Sequence, residues 1–178
     1  MIDRLFGLVA VLMLGLAGCS PTFNWREVHW GQDTVLKVML PCKPDEGSRP
    51  MNGVGQTLTL NMMGCEAGGS LFVVAVVDVK DAGHVVEVQR QWQLAMLGNM
   101  QATGASATQK QEGFSLRGAS EQPAPLRVHA QGKRDNGHAL SAQALWFARG
   151  GRLYHAAVYA DKLDAEATQT FFEGLRFP

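Results

Sequence analysis

Four residues in the C-terminal half of the chain have side chains that could bind a ligand together. Arg127 carries a permanent positive charge, His129 and His155 carry imidazoles, and Trp146 offers a large aromatic face. An aromatic ring beside a cation attracts anionic or sugar-like molecules through stacking, charge and hydrogen bonds. If these residues share one surface, the sequence predicts a small-ligand site there.

The elements that must position them are three predicted strands joined by two hairpins. Asn136-Gly137 and Gly150-Gly151 separate the strands and are typical of two-residue hairpin turns. Two-residue loops place Arg127 opposite Trp146 and Trp146 opposite His155. His129 then lies on the same outward face.

The other face of these strands is predicted to be the core. We favour the interpretation that the outward face is a solvated sheet surface on which residues 103–124 cover Trp146. A slip of one residue in either hairpin would exchange the faces and separate the four side chains. The predicted core residues of the three strands are Leu126, Val128, Leu145, Phe147, Tyr154, Ala156 and Val158.

Motifs of catalysis and metal binding are absent from the sequence. It contains no GxSxG elbow, no HExxH, no Walker loop, no GxGxxG and no CxxC. A metal site would need a third and a fourth ligand near the histidines, and none is identifiable. We therefore expect neither metal nor cofactor, and keep an enzyme only as a minor alternative.

The cysteines indicate an oxidising compartment. If Cys19 is consumed by a modification, Cys42 and Cys65 remain as an even pair. In an extracytoplasmic protein such a pair is expected to form a disulfide.

The first residues form a secretion signal. Leu5 to Gly18 is an uncharged, apolar run shorter than the roughly 20 residues needed to span a bilayer. It ends in Leu16, Ala17, Gly18 and Cys19, and small residues before a cysteine are typical of a processing site.

These four residues resemble the lipobox of bacterial lipoproteins. The resemblance implies that residues 1–18 are removed and that Cys19 carries lipid at its thiol and its new amine. Two or more acyl chains hold a protein stably on a membrane. Since Ser20 and not Asp follows the cysteine, we expect the periplasmic side of the outer membrane, with the inner membrane as the alternative.

The charge and the length of the mature protein limit its possible partners and its number of domains. Lys plus Arg equals Asp plus Glu at 16 each, so the chain has no basic field for nucleic acid. Residues 19–31 are predicted to form a tether that docks onto the domain through Trp25 and Trp30, although these rings could instead lie among lipid headgroups. Residues 32–178 have the size of a single domain.

The element order predicts an α+β domain. Strands are expected at 34–41, 56–63 and 70–79, with turns over 43–53 and a flexible loop over 100–113. Asp81 is expected to cap a helix over about 84–97, packed through Val85, Val88, Trp92 and Met96. Phe114 to Gly118 would begin a second half of the sheet, and Asp164 would cap a closing helix that ends at Gly174. The result is an antiparallel sheet of about six or seven strands with two helices packed on it.

This order resembles the PsbP-like fold, found in a photosystem accessory protein and in small bacterial lipoproteins. The closing segment TQTFFEGLRF is similar to the last helix of that group. The resemblance implies an accessory or binding role. We therefore expect a non-catalytic, lipid-anchored envelope protein that holds a partner protein. The alternative is an anchored module that binds a small ligand at Arg127, His129, Trp146 and His155.

Overall fold

A seven-stranded antiparallel sheet carries one helix on one face, and a second helix with a two-stranded sheet on the other. The computed structural model describes residues 21–31, 36–102 and 109–178, so the predicted signal and Cys19 lie outside the described residues. The α+β prediction is confirmed. The strands are β1 (Arg26–Trp30), β2 (Leu36–Leu40), β3 (Asp45–Gly53), β4 (Gln56–Ala67), β5 (Ser70–Asp78), β6 (Gln109–Gly113), β7 (Leu126–Lys133), β8 (Ala139–Arg149) and β9 (Arg152–Ala160). The helices are α1 (Val85–Asn99) and α2 (Ala165–Glu173). The large sheet has the order β3-β4-β5-β9-β8-β7-β6, and β1 pairs with β2.

Asp81, predicted to cap helix α1 itself, caps only the short turn that precedes it, and the N-cap of α1 is His84. The Gly83 backbone N–H donates to Asp81 Oδ1 (2.8 Å) and closes a short 3₁₀ turn over Ala82–His84. This satisfies one of the free N–H groups that every helix start leaves. The predicted stripe of Val85, Val88, Trp92 and Met96 is buried against the sheet.

Helix α2 begins and ends where predicted. The Ala167 N–H donates to Asp164 Oδ1 (2.8 Å), Phe171 and Phe172 are buried, and Gly174 is the C-cap. After α2 the chain returns to the smaller sheet, where the backbone of Arg176 pairs with Lys37.

Two segments predicted as turn or loop are edge strands, and both predictions are wrong. Most of the turn-rich stretch over 43–53 is β3, which pairs with β4, and Pro50 is tolerated because an edge strand has no partner on its outer side. Its charged, exposed residues are those that protect sheet edges from further pairing. The end of the predicted loop is β6, paired with β7. The predicted strand over 114–118 is irregular, and all seven strands belong to one sheet.

The N-terminal segment packs on the domain. Residues 26–30, expected within a tether, form β1, while Trp25 and Trp30 pack against the core on the α2 side. The predicted disulfide is present, because the sulfur atoms of Cys42 and Cys65 lie 2.09 Å apart. It joins the residues after β2 to the large sheet.

The large sheet is buried on both faces by two different sets of side chains. The face under α1 has many alanines, whereas the face under α2 has many aromatic rings. Buried residues under α1 include Leu60, Ala75, Val128, Ala142, Ala144, Trp146, Ala148, Leu153 and Ala157. Buried residues under α2 include Met63, Phe72, Val74, Leu145, Phe147, Tyr154, Val158, Phe171 and Phe172.

Candidate functional site

The four residues predicted to form one ligand face lie on opposite sides of the sheet. The second hairpin has the expected register, with Trp146 opposite His155 across the Gly150-Gly151 turn. The first hairpin is shifted by one residue. Arg127 pairs with Leu145, and Trp146 pairs with Leu126.

The cause of the shift is a longer loop at Asn136-Gly137. The Arg134 N–H donates to the His138 carbonyl (2.9 Å), so the loop has three residues, from Asp135 to Gly137. The Gly137 N–H donates back to the Arg134 carbonyl, and Gly137 has a φ of +82°. This is a common three-residue hairpin loop, in which a tight turn is followed by a glycine in the left-handed region. One extra loop residue moves Arg127 and His129 to the other face.

Arg127 and His129 consequently face α2. The Arg127 guanidinium lies over the rings of Phe114 (4.3 Å) and Phe172 (5.5 Å), beside a groove of about 430 Å³. Its charge is balanced by Glu112 at 3.6 Å. Hydrogen bonds from Lys110 and His129 hold the pKa of Glu112 at about 2. The predicted core set is divided in the same way, since Leu126 and Val128 face α1 while Leu145 and Phe147 face α2.

Trp146 and His155 lie under α1 and are buried, so the prediction of an outward face is wrong. The Trp146 side chain has no exposed surface. Its ring centroid is 4.5 Å from that of His155, which in turn lies 5.2 Å from Trp92 of α1. His155 is therefore held between two indole rings.

A cavity of about 660 Å³ lies between α1 and strands β3, β4, β5 and β9. This volume falls within the range of about 300–1,000 Å³ that is usual for small-molecule sites. Its buried walls come from Leu60, Ala75, Trp92, Met96, Met100 and His155. Its outer parts include Met51, Met62, Leu71, Leu140 and Tyr159.

Two residues of the cavity lining, Ser70 and His155, each have a buried side-chain polar atom without a partner. His155 is 5% exposed, and its Nε2 makes no hydrogen bond within the described part of the chain. Burial lowers the pKa of His155 to about 3, so the ring is neutral at physiological pH. A buried polar atom without a hydrogen bond costs about 1–3 kcal/mol, so Nε2 is a local cost to folding.

Charged side chains occur only toward the outer parts of the cavity. Arg49, Glu66 and Arg134 are exposed residues that line it. Arg134 is paired with Asp161, with Nη2 3.0 Å from Oδ1. Four polar residues of the lining are buried or half-buried, namely Ser70, Gln91, His155 and Tyr159, and burial raises the pKa of the Tyr159 hydroxyl.

The cavity does not bring together a catalytic pair. Ser70 lines it, but His155 pairs with Ala75, five residues along the strand from Ser70 and hence about 17 Å away. Ser70 also alternates with the residues that face α1, so its side chain points to the other face. Within residues 21–31, 36–102 and 109–178, no three His, Cys, Asp or Glu residues are placed to hold a metal ion. In the same ranges no helix combines the length and the apolar composition of a membrane span.

The sequence contained a weak signal for this cavity. Four methionines line it, namely Met51, Met62, Met96 and Met100. Of the buried alanines on the sheet face under α1, Ala75 lines the cavity, whereas Ala142, Ala144 and Ala157 do not. The methionines were not recognised as a binding site, because methionine also occurs in ordinary cores.

Comparison with known proteins gives little information. No family model and no curated protein matches the sequence. One of six matching solved chains is PA94 from Pseudomonas aeruginosa, a protein of unknown function. It is 13% identical, with 76% of this chain and 83% of that chain aligned at a TM-score of 0.39. A similarity at that level supports neither a shared family nor a shared function, so the PsbP-like resemblance stays a prediction.

Proposed function

We propose that this protein is a lipid-anchored, non-catalytic binding protein of the bacterial envelope, with its ligand site in the cavity beneath α1. The anchor is the acylated Cys19, on the periplasmic side of the outer membrane, with the inner membrane as the alternative. The site replaces the one expected at Arg127, since only His155 of that set lines the cavity.

The observation that carries this proposal is the cavity itself, a preformed space of about 660 Å³ beneath α1. A well-packed core would fill this volume. A preformed space lined by apolar side chains together with a few polar ones is typical of small-molecule sites.

A flat docking surface for a partner protein has less support. Among the described residues, the exposed large hydrophobic side chains are Leu71, Val86 and Leu94. Leu71 belongs to the cavity, while Val86 and Leu94 are eight residues apart on α1 and therefore about 12 Å apart along its axis. They form no continuous patch of the size that marks protein interfaces.

The anchor is tested by cell fractionation. We expect Cys19→Ser to move the protein from the membrane to the soluble periplasmic fraction, because the acyl chains supply the membrane affinity. Mass spectrometry of the wild-type N-terminal peptide should show a diacylglycerol and an acyl amide. An unmodified Cys19 in the mature protein would contradict the anchor.

The cavity is tested with an apolar fluorescent probe, N-phenyl-1-naphthylamine, on the Cys19→Ser protein. We expect saturable binding of one probe per chain. Ala95→Trp places an indole in the cavity and should weaken binding at least tenfold. The matched control is Leu94→Trp, at the neighbouring exposed position, which does not line the cavity. Equal binding by both variants would place the probe elsewhere, and no binding by the parent protein would reject the proposed function.

A further inference from the structure

We infer that the groove of about 430 Å³ beside Arg127 is a second binding site, which holds a small organic monocarboxylate on the guanidinium of that arginine. This Arg127 groove lies on the α2 face of the sheet, opposite the cavity under α1. It is separate from the site of the proposed function, and neither site depends on the other. Trp146 and His155 take no part in it, because both lie under α1.

The guanidinium of Arg127 makes no hydrogen bond to the part of the chain that the structure describes. Its N–H groups can only donate, and the neighbouring carboxylate oxygen, Oε1 of Glu112, is 3.6 Å from Nη1, beyond hydrogen-bonding distance. Nε is buried without a partner, whereas Nη1 and Nη2 are not closed off from solvent, and 23% of the side chain is exposed. A ligand in the groove can therefore reach these two terminal nitrogens.

Two aromatic rings hold the guanidinium in place. Its Cζ lies 4.3 Å from the ring centroid of Phe114 and 5.5 Å from that of Phe172. A cation is attracted to the face of a ring, and contacts with two rings restrict the orientation of the planar group. A guanidinium with a fixed orientation can bind a carboxylate through two parallel hydrogen bonds.

The carboxylate that lies beside Arg127 is shared with two other basic side chains. Glu112 also lies 2.7 Å from Lys110 Nζ and 3.2 Å from His129 Nε2. One negative charge thus faces the two permanent positive charges of Lys110 and Arg127. The remaining positive charge favours an anion at the exposed nitrogens of Arg127.

A second carboxylate lines the groove and limits its preference for anions. Glu173 is exposed, and its Oε1 accepts a hydrogen bond from Gln169 Nε2 (2.7 Å). Because solvent screens an exposed charge, Glu173 should lower the affinity for a singly charged anion only modestly. It should act more strongly against a ligand with two negative charges, so a monocarboxylate fits the groove best.

The other walls of the groove favour an organic anion over an inorganic one. Phe114, Leu163 and Phe172 supply apolar surface, while Gln143 supplies an amide. An apolar body beside the carboxylate gains from contact with these side chains, whereas inorganic phosphate would leave them without a partner.

The site is tested by calorimetric titration of the Cys19→Ser protein with benzoate, benzamide and inorganic phosphate. We expect one benzoate per chain. The affinities for benzamide and phosphate should be at least tenfold lower, because benzamide lacks the charge and phosphate lacks the apolar body. Equal affinities for benzoate and benzamide, or no binding of benzoate, would overturn the inference and leave the cavity under α1 unaffected.

Variants of Arg127 locate the bound anion. Arg127→Met removes the guanidinium and should lower the benzoate affinity at least tenfold. Arg127→Lys keeps the charge but not the paired N–H groups, and should lower the affinity about fivefold. The matched control is Arg149→Met, because the Arg149 guanidinium also lies over a ring, 4.8 Å from that of Phe177, and does not line the groove. Equal affinities in Arg127→Met and Arg149→Met would place the anion elsewhere.

Unfolding by urea separates binding by Arg127 from a structural role. Arg127→Met should leave the midpoint of unfolding unchanged or raise it, because an apolar side chain replaces a half-buried charge whose Nε lacks a partner. If the midpoint falls instead, the Arg127→Lys protein decides. A normal midpoint with a lower benzoate affinity in that protein supports the site, and full affinity rejects it.

Glu173→Gln tests the position of the anion within the groove. Removing this negative charge should raise the benzoate affinity about twofold at low ionic strength. Ala95→Trp, on the other face of the sheet, should leave the affinity unchanged. A lower affinity in Glu173→Gln, or a loss of binding in Ala95→Trp, would show that benzoate binds outside the Arg127 groove.

Discussion

The two faces of the large sheet are covered by layers of opposite character. Under α2, Phe72 makes edge-to-face contacts with Phe23, Trp25 and Phe171, at centroid distances of 5.6–6.4 Å. Under α1, half of the buried strand residues are alanines, and a cavity of about 660 Å³ lies between the helix and the sheet. One sheet therefore supports a close-packed side and an open side.

We infer from this difference that one face of the sheet mainly stabilises the fold, while the other leaves room for a ligand. Large rings that interlock fill space and give dispersion contacts in every direction. Small residues below a helix forfeit those contacts and leave volume for another molecule. We infer that the α2 side, which also contains the disulfide, supplies most of the folding free energy, and that the α1 side can therefore keep a cavity.

Truncation of Phe72 gives the largest expected effect. Phe72→Ala should lower the free energy of unfolding by about 3–5 kcal/mol, because its ring is fully buried among other rings. Met96→Ala, under α1, should cost only about 2 kcal/mol, since its side chain already borders the cavity. Urea denaturation of the Cys19→Ser protein measures both. Equal losses would show that the two sides are packed alike.

The disulfide is expected to contribute next. Replacing both Cys42 and Cys65 by serine should cost about 3 kcal/mol, because the bond closes a loop of 23 residues in the unfolded chain. Probe binding in the cavity should be unchanged, since the bond lies on the α2 side. A loss of affinity at temperatures where the variant is still folded would contradict the separation of the two sides.

Most of the fold could be predicted from local patterns. Asp81 and Asp164 mark helix starts, the stripe from Val85 to Met96 marks a packed helix face, and Gly150-Gly151 fixes a two-residue hairpin. Each of these signals depends on neighbours in the sequence. The edge strands β3 and β6 were missed because edge strands are polar and rich in turn residues, like loops.

The candidate site could not be predicted in the same way. It depends on which face each strand presents, and the Asn136-Gly137 hairpin differs by a single loop residue from the one expected. That extra residue shifts the register by one, so every side chain of β7 lies on the face opposite to the one predicted from its pairing with β8. His155 was predicted on an exposed face, whereas the structure buries it beneath α1, because its surroundings follow from the helix above it and not from the neighbours on its strand.

The buried imidazole should make stability depend on pH. His155 has a pKa of about 3 in the folded protein and about 6.5 when unfolded, so only the unfolded chain gains a proton between these values. Its contribution is fully present above pH 6.5 and is lost as the pH falls toward 3. At pH 5 the free energy of unfolding should be about 2 kcal/mol lower than at pH 8 from this group alone.

The matched measurement is the same pH series on His155→Phe. The difference between the two proteins isolates this group from the other histidines, which are present in both. A difference that does not vary with pH would mean that the pKa of His155 is the same in the folded and the unfolded chain. Burial would then not lower that pKa.

The smallest expected effect is the loss of unfolding free energy when the side-chain caps near the starts of the two helices are removed. Asp164→Ala removes the cap of α2 and should cost about 1 kcal/mol, whereas Asp81→Ala should cost less, because Asp81 caps only the short turn before α1. The helix start of α1 itself has no side-chain cap.

In N-phenyl-1-naphthylamine titrations, Asp164→Ala should leave the affinity unchanged, since α2 lies on the opposite face from the cavity. If the smaller change at Asp81 nevertheless alters the affinity while the larger change at Asp164 does not, the position of α1 controls the cavity independently of overall stability. If Asp164→Ala weakens binding as much as it weakens folding, the two faces act as one unit.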